Sequence, residues 1–117
     1  MTDGGMTIAR DESDGVEIIR LEGDIDMTNA ALVREAVEAT TCDSVVLDLS
    51  AVTFLDSMAI STLEGGQRRL ASERRSLVVV CPPSTPSAWT LRVAGIDRDV
   101  VRESLDDALV AAIGRHT

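Results

Sequence analysis

Segments that favour β-strands alternate along this chain with segments of helical spacing. The strand segments are short apolar runs rich in β-branched residues, of which residues 45–49 (VVLDL) and residues 77–80 (LVVV) are the clearest. A helical stretch follows each of them and opens on a capping residue, Asp56 in the first case and Ser84 or Thr85 in the second. Strands joined through helices form a parallel sheet with right-handed connections. We therefore expect an α/β fold.

The N-terminal part of the chain predicts a different kind of connection. Two strand-like runs, residues 6–9 and 16–21, flank a polar, turn-rich stretch, which is typical of an antiparallel hairpin. We expect Gly23 to end the second run and Thr28 or Asn29 to cap the first helix. A weak strand at residues 99–101 should precede a last helix at residues 105–113, which Ser104 caps. The predicted architecture is a single, mostly parallel sheet with an antiparallel N-terminal edge strand and about four helices.

The bulk composition supports one globular domain. The 117 residues are 44% hydrophobic, and we expect them to form a single domain spanning residues 1–117. The formal net charge is −9, so nucleic acid and anionic membranes are poor partners, because both need a basic face. No apolar run approaches the roughly 20 residues of a membrane span, and no signal peptide is visible. Cys42 and Cys81 lie far apart, so we expect free thiols and a cytoplasmic location.

The residue inventory argues against an enzyme. The single histidine, His116, is the penultimate residue and is a poor partner for either cysteine. The chain has no lysine, which excludes a phosphate-binding P-loop, Schiff-base chemistry and a receiver domain, although Asp48 in its strand is similar to a receiver's phosphorylated aspartate. Asp24, Asp26 and Asp56 carry the oxygen ligands that hard cations prefer. A solvated acidic loop is the interpretation we favour, so we expect no metal, no cofactor and no catalytic residue.

Two loops should share one edge of this sheet. In parallel strands, the loops that leave the carboxyl ends lie on the same side, where partners of open α/β sheets bind. Residues 24–26 form the first loop and residues 54–57 the second, which a short apolar connection at residues 52–55 leads into. With Asp56 as the cap, we expect the Ser57 hydroxyl to be exposed at the first helical position, where a phosphate would meet free backbone N–H groups. On spacing alone, an Asp-Ser pair such as Asp56 and Ser57 more often forms a plain capping turn than a regulatory phosphorylation site.

Several short motifs occur in a fixed order along the chain. Residues 23–26 (GDID) are similar to a G-E-L-D turn, and residues 46–57 (VLDLSAVTFLDS) to the pattern V-L-D-L-S-x-V-x-F-x-D-S. Residues 77–81 are similar to a fourth strand of the same pattern, residues 93–96 to an M-S-G-L helix end, and residues 107–109 to an E-A-L in the last helix. In this order and spacing, most of the chain resembles STAS domains, and within them the stand-alone bacterial anti-sigma factor antagonists.

The resemblance implies a regulatory protein and not an enzyme. Such antagonists bind a cognate anti-sigma factor, itself a serine kinase, and thereby release a sigma factor. The kinase uses ATP to phosphorylate the serine that matches Ser57, the complex dissociates, and a metal-dependent serine phosphatase resets the switch. Asp24 matches an acidic position that faces the partner. The implied partner-binding set is Asp24, Asp26, Asp56, Ser57, Met58 and Ala59.

The sequence departs from the family pattern next to the implied phosphorylation site. The family usually has D-S-S-G, whereas this chain has Asp56, Ser57, Met58 and Ala59. Ala59 favours the helix by nearly 1 kcal/mol over glycine, and it adds a methyl group where a kinase needs close approach. The alternative function is therefore a STAS protein-interaction or ligand-binding module that is not phosphorylated and acts in a larger signalling assembly.

Overall fold

The computed structural model describes residues 2, 3, 5–96 and 100–114. Strands and helices alternate after an N-terminal set of three strands. In chain order the elements are β1 (Thr2–Asp3), β2 (Met6–Ser13), β3 (Val16–Ile25), α1 (Ala30–Glu38), β4 (Ser44–Leu55), α2 (Ser57–Ser72), β5 (Ser76–Val80), α3 (Pro86–Val93), β6 (Val101–Arg102) and α4 (Leu105–Gly114). The predicted weak strand is β6, and Asp99, which was assigned to it, lies outside the described residues.

The described strands form one mixed sheet in the order β1-β2-β3-β4-β5-β6. The pairs β1–β2 and β2–β3 are antiparallel, and the remaining pairs are parallel, which confirms the predicted α/β architecture. The hairpin between β2 and β3 closes at Ser13 and Val16 through Asp14 and Gly15, both of which have positive φ. The outer edge is formed by the short strand β1, which the sequence pattern did not indicate.

Helices cover both faces of the sheet. One face packs against α1 and α2, and the other packs against α4, whose Ala108 and Ala112 are fully buried. The residues of β4 alternate between the two sides: Val45 and Leu47 belong to the larger core cluster and Val46 to the smaller one. Because both faces are covered, the central strands read as continuous apolar runs instead of alternating ones.

Strand β3 does not end at Gly23, as the sequence suggested, but continues to Ile25. The pairing with β4 shifts its register between Gly23 and Asp24, and Gly23 has a φ of +96°. A Cβ atom at this position would lie 2.0 Å from the carbonyl oxygen of Gly5. Glycine is therefore required here by a close backbone approach within the sheet, and it bends the strand without terminating it.

Strand β4 is longer than predicted, because residues 52–55 continue it instead of forming a connection. The parallel pairing with β5 stops at Asp48, whereas the pairing with β3 runs on to Leu55. Beyond Asp48, α3 packs beside β4, and the buried Ser87 hydroxyl donates to the Val52 carbonyl at 3.2 Å. The site described below lies at the end of this extended pair of strands.

The predicted starts of three helices are confirmed. The Asp56 carboxylate caps α2, the Thr85 hydroxyl caps α3 with Pro86 in its first turn, and the Ser104 hydroxyl accepts a hydrogen bond from the backbone N–H of Asp107 in α4. Each cap uses a side-chain oxygen for a backbone N–H that has no partner within its helix. Asn29 precedes α1 but makes no such bond, because its side-chain amide hydrogen-bonds the backbone of Asp24 and Asp26 instead.

Candidate functional site

The carboxyl ends of β3 and β4 lie side by side at one edge of the sheet. The backbone N–H of Asp56 donates to the Ile25 carbonyl at 3.2 Å, so the end of β4 is tied to the end of β3. The Thr53 hydroxyl donates to the exposed Asp24 carboxylate at 2.5 Å. The two segments that the parallel order predicts to share one edge are therefore in direct contact, although residues 24 and 25 belong to β3 and residues 52–55 to β4.

Asp56 holds this junction together through both oxygens of its carboxylate. One oxygen accepts from the backbone N–H of Ala59 at 2.9 Å and caps α2, and the other accepts from the backbone N–H of Met27 at 2.9 Å. One side chain thus joins the start of α2 to the loop between β3 and α1. Asp56 positions Ser57, and both of its carboxylate oxygens are already engaged within the chain.

The loop between β3 and α1 is ordered by Asp26 and Asn29. The backbone N–H and the hydroxyl of Thr28 both donate to the Asp26 carboxylate, and these bonds hold the pKa of Asp26 below its ordinary value. Asn29 is fully buried; its amide oxygen accepts from the Asp26 N–H and its amide nitrogen donates to the Asp24 carbonyl. Asn29 fixes the backbone that presents both acids. The sequence pattern indicated only a helix cap at this position.

Ser57 is exposed at the first position of α2. The first backbone N–H groups of an α-helix have no acceptor within the helix, and of these the N–H of Ala59 donates to the Asp56 carboxylate. Ser57 also lies on the wall of a groove between α2 and α3 that has a volume of about 370 Å³. An anion on its hydroxyl oxygen would be placed at the positive end of the α2 dipole and at the mouth of this groove.

The two residues that follow Ser57 face in different directions. Met58 is half exposed, so its side chain is accessible from solvent. Ala59 is 1% exposed and belongs to the main hydrophobic core. The assignment of Ala59 to a partner-binding set is corrected by this burial, because its methyl group points into the protein. The methyl group consequently leaves the approach to Ser57 open.

Exposed apolar side chains surround the acidic edge. Met27 follows Asp26 in the loop, Phe54 precedes the Asp56 junction, and Trp89 and Val93 line the groove beside Ser57. Trp89 and Phe54 are the two aromatic residues of the entire chain, and both are more than half exposed. The sequence analysis missed Trp89 and Val93. Their spacing of four residues on a short helix was the available signal, but it does not distinguish an outer helix face from a core face.

A second cavity of about 470 Å³ opens between α1 and α2. Its floor is apolar and includes Val33, Val37 and Leu63, and the glycine pair Gly65 and Gly66 of α2 leaves space in its wall. Met58 lines this cavity as well, so the cavity adjoins the edge that carries Ser57.

The remaining chemical candidates are accounted for within the described residues. In that part of the chain, no group of three or more His, Cys, Asp or Glu side chains is arranged to hold a metal ion. Asp48 is buried and accepts from the backbone N–H and the hydroxyl of Ser50. Cys42 and Cys81 are free thiols, and His116 lies outside the described residues. Residues 2, 3, 5–96 and 100–114 contain no helix long and apolar enough to cross a membrane.

Comparison with known proteins identifies relatives over nearly the whole chain. A protein from Mycobacterium tuberculosis named anti-sigma-F factor antagonist RsfB is 27% identical over 113 residues, which cover 93% of this chain and 91% of the relative. An anti-sigma F factor antagonist from Paenibacillus polymyxa is 29% identical over 86 residues, covering 70% of this chain and 73% of the relative.

Solved structures and family models agree with these relatives. The crystal structure of an anti-sigma factor antagonist from Mycobacterium paratuberculosis superposes with a TM-score of 0.83 at 28% identity, covering 97% of this chain and 99% of that chain. The family model described as the STAS domain matches residues 7–108, which include nearly all of the hairpin, the acidic edge, Ser57 and the first turn of α4. This chain therefore belongs to the STAS domain family.

Proposed function

We propose that this protein is an anti-sigma factor antagonist that works as a switch and not as an enzyme. It binds a cognate anti-sigma factor, which is a serine kinase, and so releases a sigma factor. Phosphorylation of Ser57 by that kinase ends the complex, and a serine phosphatase restores the free hydroxyl. The names of the relatives from Mycobacterium tuberculosis and Paenibacillus polymyxa support the class of function.

The observation that carries this proposal is the setting of Ser57. Its hydroxyl is exposed at the start of α2, at the junction where Asp56 joins the carboxyl ends of β3 and β4. A kinase needs an accessible hydroxyl, and the helix N-terminus accommodates the added phosphate at little cost to the fold. The sequence analysis raised the objection that the Ala59 methyl group would obstruct a kinase. Ala59 is buried, so its methyl group does not lie between Ser57 and an approaching active site.

The acidic edge favours a partner whose contact surface carries Arg or Lys. Asp24 is exposed and Asp26 is partly exposed, in a protein with a net charge of −9. Opposite charges accelerate the diffusional encounter, and dissolved salt screens this attraction. We expect the association rate with the anti-sigma factor to fall as the salt concentration rises, while a partner without a basic surface would show no such dependence.

The test is a phosphorylation assay with defined proteins. Each ATP-binding anti-sigma factor encoded in the same genome is purified, mixed singly with this protein and ATP, and the product is examined by mass spectrometry. We expect one phosphate on the wild type and on Ser72→Ala, a matched variant at the exposed far end of α2. Ser57→Ala should take up no phosphate and should still bind.

A phosphomimetic variant separates the switch from damage to the fold. Ser57→Glu should bind the anti-sigma factor more weakly, whereas its folded state should be unchanged or more stable by some tenths of a kcal/mol, since a carboxylate at the first turn complements the helix dipole. Thermal melts and titration calorimetry measure the two quantities. Tight binding by Ser57→Glu, together with no phosphate on the wild type, would refute the switch.

The second candidate function is a STAS interaction module that is not phosphorylated. The half-exposed Met58, at the position where the family pattern has a second serine, favours it because it makes the surface beside Ser57 more apolar. In that case an anti-sigma factor or another signalling protein binds, and Ser57→Ala and the wild type behave identically in the presence and absence of ATP. The same assay therefore distinguishes the two functions.

A further inference from the structure

Helix α3 exposes two large apolar side chains although its packing against the sheet is complete. Its inner side is anchored by the buried Leu91 and by Ser87, whose hydroxyl reaches the Val52 carbonyl. Trp89 and Val93, four residues apart on the helix, are 64% and 66% exposed. Because the inner side is already filled, these two side chains contribute little to the core, and their exposure costs solvation free energy.

The exposed side of α3 forms one wall of the groove that Ser57 enters. Ile60 and Ser61 of α2 line the opposite wall, together with Ser57 itself. Among the described residues that line this groove, Asp56 is the single one with an ionisable side chain, and both of its oxygens already accept backbone hydrogen bonds. The groove is thus an apolar surface bordered by hydroxyl groups and by the acidic edge.

We propose that this groove, with Trp89 and Val93 as its anchors, receives an apolar side chain of the anti-sigma factor, flanked by a basic residue that meets Asp24. This inference rests on the proposed function and names the part of the surface that carries the binding energy. A tryptophan beside a small groove is the type of residue that dominates interface energetics. Charge complementarity selects the occupant, since the acidic edge disfavours an acidic or a self-similar partner.

The groove also explains how a phosphate on Ser57 can weaken the binding of a partner with a basic surface. A phosphate attracts Arg and Lys, so repulsion between charges does not explain its effect on such a partner. On the groove wall, however, the phosphate keeps water beside Trp89 and must be desolvated before an apolar side chain can enter. The switch therefore acts through loss of the apolar anchor, and added salt should not restore binding of the phosphorylated form.

The chain offers a matched pair of variants for the test. Val93 and Val110 are 66% and 71% exposed on helices, but Val110 lies on α4, which covers the opposite face of the sheet from α1 and α2. We expect Trp89→Ala to weaken binding of the purified anti-sigma factor by about tenfold or more and Val93→Ala by about threefold or more, with Val110→Ala within about twofold of the wild type. Unchanged circular dichroism spectra establish that each variant is folded.

A second experiment tests the coupling between Ser57 and Trp89. In the wild-type background, Ser57→Glu should weaken binding; in the Trp89→Ala background it should weaken binding much less, because the anchor that it disturbs is gone. Equal losses in the two backgrounds would overturn the proposed mechanism of the switch. Recovery of Ser57→Glu binding at high salt would overturn it as well.

The outcomes separate this inference from the proposed function. If no anti-sigma factor binds the wild type, the proposed function fails. If one binds and Trp89→Ala and Val93→Ala match Val110→Ala, the function stands and the groove is refuted as the anchor site. If sedimentation shows a dimer of this chain that Trp89→Ala dissociates, the groove is occupied by a second copy and the proposal is overturned.

Discussion

Replacing Asp56 should destabilise the whole protein while revealing how the acidic edge is held. The carboxylate makes two hydrogen bonds of 2.9 Å, one to the Ala59 N–H and one to the Met27 N–H. Asp56→Ala removes both bonds. Asp56→Asn keeps one amide oxygen, which suffices for the cap, but it places an NH₂ group against one of the two N–H donors.

The expected loss of unfolding free energy follows from the two hydrogen bonds that the Asp56 carboxylate accepts. Loss of a helix cap costs about 1 kcal/mol, and loss of a charge-assisted bond to a backbone N–H costs about 1.5 kcal/mol at a partly exposed site. We expect Asp56→Ala to lower the free energy of unfolding by about 2 to 3 kcal/mol. The melting temperature should then fall by roughly 6 to 15 °C in a chain of 117 residues. Asp56→Asn should lose about half as much free energy.

Urea titrations and thermal melts measure these changes. The matched control is Asp106→Ala, which removes an exposed aspartate from the first turn of α4. It should cost less than about 1 kcal/mol, since an acid at this place acts mainly on the helix dipole. If Asp56→Ala is as stable as Asp106→Ala, or if Asp56→Asn equals the wild type, the two hydrogen bonds do not hold the junction as described.

Three further predictions concern the backbone around the site. Asn29→Ala should lower the free energy of unfolding by about 2 kcal/mol in urea titrations, because two partly buried hydrogen bonds from its side chain to the backbone are lost. Gly23→Ala should destabilise the protein far more than Gly15→Ala in thermal melts, since both have positive φ but only Gly23 would bring its Cβ to 2.0 Å from another residue's carbonyl. The lowered pKa of Asp26 predicts that its stabilising contribution is present near neutral pH and is lost progressively as the pH falls below about 4; Asp26→Asn should therefore be less stable than the wild type near neutral pH in urea titrations, and the difference should shrink as the pH falls below about 4.

Sequence reasoning succeeded where the deciding contacts are local. The caps at Asp56, Thr85 and Ser104 each depend on a hydrogen bond that spans three residues, and the residue types that make such bonds are few. The exposure of Ser57 followed from the same argument. The parallel order of the strands followed from their alternation with helices, and it placed residues 24–26 at the same edge of the sheet as residues 54–57.

Sequence reasoning failed where distant parts of the chain decide the outcome. The glycine at position 23 looked like a strand end, but its role depends on the approach of the Gly5 carbonyl. Residues 52–55 looked like a connection because their strand character depends on pairing with the prolonged β3. The sequence did not indicate whether Trp89, on a short helix, faces the core or the solvent. Its exposure follows from Leu91 and Ser87 filling the inner side of α3, which the sequence does not reveal.

The prolonged β4 has a consequence for how the edge of the sheet is protected. Among the described strands, β3 alone pairs with residues 52–55, so the other side of that segment would be an open backbone edge, the kind that recruits strands from other chains. Helix α3 lies against it, with the Ser87 hydroxyl on the Val52 carbonyl. Helix α3, which carries Trp89 of the proposed groove, therefore also covers this edge, and we expect variants that loosen α3 to favour association through β4 as well as to weaken the proposed binding.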